Sequence, residues 1–350
     1  MKTISATKAR ALKRLSIQAP VNTFTGFGQM FCEVFSGLLK SGVDLQVRPI
    51  GVQEEVDSIP QPIPHLIKSR FVYAAPSRPE LLIAPLGWKQ WPTKNVPTAY
   101  WTMIETTAAP KDCLEPLNAA KVVIVPCQAN KTSLLDSGVT VPVFVVPLGI
   151  STEIFSPQPM RMTGTCVFGT GGYLAHSEAR KDVGKAIRAF QRAFPTRQDV
   201  RLEIKTMPGD RAPQPNDSRI IVHRAVWDWH QLADWYASLT AFLCTSTGEG
   251  WGLMPHQAMA TGRPVVYPNF AGLRDFCHGY PVWHRTIAAC KGWGGWADPD
   301  ESELVEQMLR IAGDREEARQ IGLNCVDRAQ WFSWDRTVRE LLKVLNHALL

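Results

Sequence analysis

The stretch Thr245–Pro268, TSTGEGWGLMPHQAMATGRPVVYP, follows the apolar run AFLCT and sets Gly248, Gly250 and Gly252 ahead of an Ala- and Met-rich helical run. Glycines at this spacing let a backbone or ligand approach closely. A helix opening near Leu253 and Met254 turns free N–H groups and the positive end of its dipole toward whatever lies in front of it, which suits a diphosphate. Glu249 and Gln257 flank the helix start, where they can reach hydroxyls on two parts of one extended ligand. A plain strand-loop-helix turn uses glycines too, so the surrounding chain has to decide between the two.

Upstream, short β-rich runs alternate with helical or loop segments: RLSIQAP, LQVRPI, LLIAP, TAYWTMIE, KVVIVP and VPVFVVP. Apolar runs without polar alternation are those of parallel strands covered on both faces by helices. The proline-bearing segment LGISTEIFSPQP closes this set, and the rhythm restarts with TCVFG, VRLEIKT, RIIVH, AFLCT and PVVY. Helical stretches such as Val183–Phe194 and His230–Ser238 separate these runs. The expectation is two doubly wound α/β domains, residues 1–155 and 156–332. A helix over 333–350 follows, with Ser333 as N-cap and Val338, Leu341, Leu345 and Leu349 on one face, and it needs a surface to lie on.

Composition agrees. With 350 residues, 45% of them hydrophobic and 20% charged, the chain can bury large cores and is not a disordered one. The formal charge of +6 attracts anionic partners without marking a histone-like binder. Eight cysteines with no C-x-x-C pair argue against a zinc site or a disulfide framework and for a reduced, cytoplasmic setting. MKTISATKARALKRL has no apolar core of a signal peptide, and no apolar run approaches a membrane span, so no integral membrane association is expected.

The block EGWGLMPHQAMATGRPVV resembles the Glu-x7-Glu motif of retaining GT-B glycosyltransferases, especially glycosyltransferase family 4. TGFGQM, VPLGI, RKDVGKAIRAF and WFSWDRTVRELL extend the resemblance along nearly the whole chain. It implies two Rossmann-like domains facing a central cleft, with the C-terminal helix crossing back to the first. The donor nucleotide lies mainly in the second domain and the acceptor in the first. It also implies transfer of a hexose from a nucleotide sugar, here a UDP-sugar, with retention of configuration, no cofactor and no metal.

Carried onto this chain, the resemblance gives Glu249 the donor-sugar hydroxyls and Gln257 the nucleotide ribose. Gly250, Trp251, Gly252 and Leu253 form the loop and helix start that hold the donor. Gln257 is a departure: an amide offers one acceptor oxygen and a donor in place of a carboxylate, which leaves donor affinity and nucleotide choice open. Lys181 matches the phosphate lysine, and Arg180 beside it stands in for a companion arginine that the family carries earlier, where this chain has Thr170 and glycines. Both open the helix RKDVGKAIRAF, where fixed cations would stabilise a departing diphosphate. Gly26 and Gly28, after the first strand, let donor and acceptor approach the backbone at the crevice of a doubly wound sheet. Glu105, at the end of the strand TAYWTMIE, orients or deprotonates the acceptor hydroxyl, or is an ordinary salt-bridged acid. His223 and Val226 border the nucleobase or are structural, and structure is the commoner use of such a histidine.

Two acceptor classes stay open: an envelope polysaccharide or lipid, and a hydroxymethylated pyrimidine (5-hydroxymethylcytosine or 5-hydroxymethyluracil) in DNA, as in compact virus-encoded relatives working in the host cytoplasm. Net basicity, twelve tryptophans and the acid-free basic run Lys2, Lys8, Arg10, Lys13 and Arg14 favour DNA. A nucleotide-sugar-binding protein without catalysis is the rival outside enzymes, and a GT-B phosphorylase or epimerase the rival within them.

Overall fold

The computed structural model describes residues 11–21, 25–50, 63–174, 178–290 and 292–350. Lys2, Lys8 and Arg10 of the basic run lie outside them. The first half contains β1 (Arg14–Pro20), α1 (Gly26–Lys40), β2 (Asp44–Ile50), α2 (Ile63–Lys68), β3 (Glu80–Ile83) and β4 (Thr98–Trp101). It continues with α3 (Leu114–Asn118), β5 (Val122–Val125), α4 (Gln128–Ser137) and β6 (Val143–Val145). The strands form one parallel sheet in the order β2-β1-β3-β4-β5-β6.

The second half contains β7 (Cys166–Gly171), α5 (Glu178–Lys181), α6 (Val183–Ala193), β8 (Val200–Thr206), β9 (Ile220–Arg224), α7 (Trp229–Ser238) and β10 (Ala241–Leu243). Then come α8 (Leu253–Ala260), β11 (Val265–Pro268), α9 (Ala271–Phe276) and β12 (Gly279–Val282). A second parallel sheet has the order β12-β11-β10-β7-β8-β9. A hairpin of β13 (His284–Ala288) and β14 (Gly295–Pro299) precedes α10 (Glu301–Gly313), α11 (Arg315–Trp331) and α12 (Trp334–Leu349). The architecture is α/β, two Rossmann-like sheets.

The strands are short and buried on both faces: every residue of β3, β4, β5, β10 and β11 is buried. The strand TAYWTMIE is shorter than its apolar reading, since β4 ends at Trp101 and Glu105 stands four residues beyond it in a bend. The hairpin and β12 have no counterpart in the apolar rhythm because they are short and half exposed.

Strand order decides where a ligand can sit. Each sheet reverses direction once, between β1 and β3 in the first and between β7 and β10 in the second, and the crevice of such a sheet opens at the carboxyl ends of the strands flanking that point. The described residues there include Thr25 and Gly26 after β1, Gly172 and Tyr173 after β7, and Glu249, Gly250, Trp251 and Gly252 after β10, all on one cavity. They face one another across the cleft between the domains. α12 lies on α1 of the first half: Ile150 and Ser333 form a parallel bridge, Thr337 Oγ1 donates to the Pro147 carbonyl at 2.7 Å, and the Leu12 N–H donates to Asn346 Oδ1 at 2.7 Å.

Candidate active site

A cavity of about 420 Å³ occupies the cleft. Its first-domain wall includes Thr25, Gly26, Gln29, Trp88, Met103 and Glu105, and its second-domain wall Lys181, Lys205, Trp227, Glu249, Leu253 and Gln257.

The floor is the loop after β10. Thr247 N–H donates to the Arg180 carbonyl at 2.7 Å, and Thr245 Oγ1 donates to that of Lys181 at 3.0 Å, so the turn of α5 is pinned to this loop. Arg180 and Lys181 therefore end α5 and do not open the following helix. Asp182 intervenes, with a φ of 38° and its side chain capping Lys185 N as N-cap of α6. The residue pattern RKDVGK places a capping aspartate after the two cations, and the cap breaks what reads as one helix.

Two acids and two bases meet here. Arg180 Nε lies 3.0 Å from Glu105 Oε2 across the cleft, and its Nη1 donates to the Gly248 carbonyl at 2.7 Å and lies 3.5 Å from Glu249 Oε1. Lys181 Nζ is in direct contact with Glu249 Oε1. Burial works to raise the Glu249 carboxyl, but Lys181 and Arg180 outweigh it and hold it below the usual carboxylate range. For Glu105 burial wins over Arg180, with Glu249 adding repulsion, and its carboxyl is pushed up. The two acids are thus driven apart in proton affinity, the pattern of sites that divide acid and base work.

α8 starts at Gly252, whose φ of 110° favours glycine and which gives no side-chain cap. The N–H groups of Leu253 and Met254 open the helix at the cavity wall, and Pro255 follows with none to offer. Gly250 touches the first domain. A Cβ there would stand 2.7 Å from Met103 Cγ, and its carbonyl accepts from the Cys127 thiol at 3.4 Å. A Cβ on Gly248 would sit 1.9 Å from the Glu105 carbonyl oxygen, so glycine is what allows the two domains to close on each other.

Trp251 lines the cavity, yet its side chain is largely taken up by the core behind it. The residue is 1% exposed, and its indole stacks on Phe276 at 4.4 Å and donates to His256 Nδ1. Gly26 opens α1, whose N-cap Thr25 accepts from the Gly28 N–H at 3.1 Å. Gly26 faces Leu253 across the cleft, whereas Gly28 is buried within the first turn.

Gln257 is buried, accepts from the Tyr236 hydroxyl at 3.1 Å, and donates to Gln29 Oε1 of the first domain at 3.1 Å. Gln29 stands in TGFGQM, yet only three-dimensional proximity shows its partner, which lies 228 residues away. Lys205 and Trp88 are two further cavity residues that no motif marks; they belong to runs that read as an ordinary strand and loop. His223 stands outside the cavity wall, with Nε2 3.2 Å from Glu203 Oε2 and its ring beside Trp227, and Val226 is exposed. Among the described residues no group of three His, Cys, Asp or Glu side chains is placed to hold a metal ion, and no helix is long and apolar enough to cross a membrane.

Residues 167–314 match the family model described as Glycosyl transferases group 1. Sucrose-phosphate synthase of Thermosynechococcus elongatus superposes with a TM-score of 0.67 at 15% identity, over 96% of this chain and 98% of that one. HepE of Anabaena, solved with UDP and glucose, gives 0.66 at 13% identity, over 96% and 100%. The fold is GT-B. In sequence, the D-inositol 3-phosphate glycosyltransferase of Frankia alni is 30% identical over 122 residues, 34% of this chain and 27% of that enzyme. The chain thus spans about a quarter of the length of this curated relative. Within the GT-B frame the matched segment is the second domain with α5 to α10, which carries Lys181, Glu249 and Gln257.

Proposed function

We propose that the protein is a retaining glycosyltransferase that moves a hexose from a UDP-sugar to an acceptor hydroxyl. The observation that carries this reading is the convergence of Glu249, Lys181 and the N-terminus of α8 on one cavity at the switch points of two facing sheets. The neighbours' fold and the UDP in HepE support the choice of donor.

On this reading Glu249 holds hydroxyls of the donor sugar, and Gln257 the ribose, once its bond to Gln29 yields. The bond from the sugar's anomeric carbon to the diphosphate breaks, and its electron pair leaves with UDP. Lys181 and the N–H groups of Leu253 and Met254 lie where that charge develops, and they are fixed before the reaction begins. The acceptor oxygen bonds to the anomeric carbon from the first-domain side, and its proton passes to Glu105. A carboxylate whose affinity for protons is raised by burial suits that task.

For the acceptor we favour a hydroxymethylated pyrimidine in DNA. Net charge +6 and Trp88, 50% exposed at the first-domain wall, support it: an extruded base can stack on an open indole. The curated relatives act on D-inositol 3-phosphate, so that compound belongs in the test beside glycans and lipids.

The experiment incubates the protein with a panel of UDP-sugars and these acceptors, then measures released UDP and, by mass spectrometry, the added hexose. Hexose on hydroxymethylated DNA is expected, and Glu249→Gln and Lys181→Met should each slow turnover roughly ten- to hundredfold, the worth of one charge-assisted contact at ~1.5 to 3 kcal/mol. Transfer to a glycan, lipid or inositol phosphate alone overturns the DNA acceptor. UDP binding without release of UDP from any donor overturns the enzyme reading in favour of a binding protein.

A further inference from the structure

The cavity holds a cation that the four-residue charge cluster does not neutralise. Lys205 is the penultimate residue of β8, beside the glycine-bearing end of β7: it pairs in register with Gly171, and its carbonyl accepts from the Gly172 N–H at 3.0 Å. Its side chain lines the cavity, with Nζ 3.5 Å from Met207 Sδ and 5.9 Å from the ring centroid of Trp227. A thioether is a weak acceptor, and an indole face offers a cation no counter-charge. Among the described residues no carboxylate oxygen lies within 4.0 Å of this ammonium. Asp210, the acid whose field it feels, turns Oδ2 to Thr206 Oγ1 and to the N–H groups of Leu174 and Met207. Burial makes the charged form of Lys205 harder to keep than that of an exposed lysine.

Charge balance says what such a group awaits. Arg180 and Lys181 face Glu105 and Glu249, two positive charges against two negative ones, so this cluster by itself offers no net charge to an incoming anion. Arg180 is committed further, to the Gly248 carbonyl. The diphosphate of a nucleotide sugar carries two negative charges, and the N-terminus of α8 supplies about half of one positive charge. Lys205 stands across Gly172 from Lys181, whose stem packs within 3.3 Å of where a Cβ of Gly172 would be.

We propose that Lys205 is the second phosphate-binding cation of the donor site, the part the sequence pattern assigns to Arg180, whose guanidinium is held by Glu105, Glu249 and the Gly248 carbonyl. The inference rests on the nucleotide-sugar reading above. It assigns Lys181 and Lys205 to the two sides of the Gly171–Gly172 turn, with the phosphates between them and the base toward Trp227. When the anion enters, the ammonium exchanges a thioether for phosphate oxygens.

The test is calorimetric titration of wild type, Lys205→Met and Lys205→Arg with UDP, UMP and uridine. Methionine keeps the length and apolar contacts against Met207 and Trp227, and thermal unfolding checks that the variant is intact. Lys205→Met should weaken UDP and UMP roughly ten- to hundredfold and leave uridine within about twofold, while Lys205→Arg recovers most of the loss. The salt dependence of UDP binding should also flatten in Lys205→Met. Unchanged UDP affinity in an intact Lys205→Met overturns the proposal, as does an equal loss for uridine, which would place the ammonium on the base. Wild type that binds neither UDP nor any UDP-sugar overturns the nucleotide-sugar reading itself, a result distinct from either.

Discussion

Gln257 makes two hydrogen bonds, and a glutamate could keep both. The Tyr236 hydroxyl donates to one oxygen already, and Gln29 could turn its amide nitrogen to face the other. Glu at this position is what the Glu-x7-Glu motif carries. Gln257→Glu is therefore expected to fold, to turn over within about threefold of wild type, and to shift UDP affinity while kcat holds. A large fall in kcat at unchanged donor affinity would mean that the side chain acts on the reacting sugar. The place of Gln257 is legible in the sequence because motif spacing sets it. Its partner is not, because Gln29 meets it only when two domains close. The same limit applies to Glu105 and Arg180, whose ion pair joins a bend after β4 to α5, in different domains. Lys205 escapes for another reason: in VRLEIKT it alternates as any strand residue would, and what distinguishes it is that, among the described residues, no carboxylate oxygen lies within 4.0 Å of its ammonium, which no local pattern encodes.

At the scale of elements, α8 is held in place by a buried histidine. Trp251 Nε1 can only donate, so His256 Nδ1 accepts that bond at 3.2 Å; Nε2 therefore carries the proton and donates to the Ala329 carbonyl of α11 at 3.0 Å. This neutral tautomer satisfies both nitrogens, and burial depresses the ring's pKa to about 4. The sign follows. Unfolding lets the ring take a proton at its ordinary value of about 6.5, so the unfolded chain binds more protons between the two values and stability falls as pH drops from 6.5 to 4. The full loss is roughly 3 kcal/mol. Glu33 opposes it: burial raises its carboxyl to about 7, so over the range 4.5 to 7 it favours the folded state at the acid end. The difference between wild type and His256→Gln isolates the histidine, and in urea unfolding at a series of pH values the gap between them should narrow as pH falls. A constant gap would mean that the ring is charged in the folded protein or already free of its two bonds. The sequence shows α8 by its glycines and apolar run, but its tie to α11 depends on which face is buried, and the pattern LMPHQAMA is apolar nearly all round.

Across the whole molecule, the two domains meet around the cavity, where α4 packs on α9 and where Thr107 bonds Gly295, and α12 adds a further contact on the far side of α1. It leaves the second domain at Ser333, which caps it through Arg336 N, and lays Val338, Leu341 and Leu345 in the buried core that also contains Phe31, Phe35 and Leu38 of α1. The fit is tight at Gly37, where an added Cβ would stand 2.4 Å from Val338 Cγ2, and Gly149 admits no Cβ against the Trp334 N–H, at 2.2 Å. α1 also carries Gly26 and Gln29 into the cavity wall, so the tail helix buttresses one side of the candidate site from behind. Its amphipathic spacing is plain in the sequence; the surface it covers is plain only in the structure, because α1 is some 300 residues away in the chain. Leu341 is fully buried, and Leu341→Ala removes three heavy atoms from that contact, which should cost about 2 to 5 kcal/mol. The loss falls on the seam between the domains and leaves the second domain's own core intact. The single calorimetric transition expected of a coupled pair should therefore split, the first domain melting earlier and the second near the wild-type temperature, with UDP raising only the later peak. One undivided transition at an unchanged midpoint would show that α12 does not couple the domains.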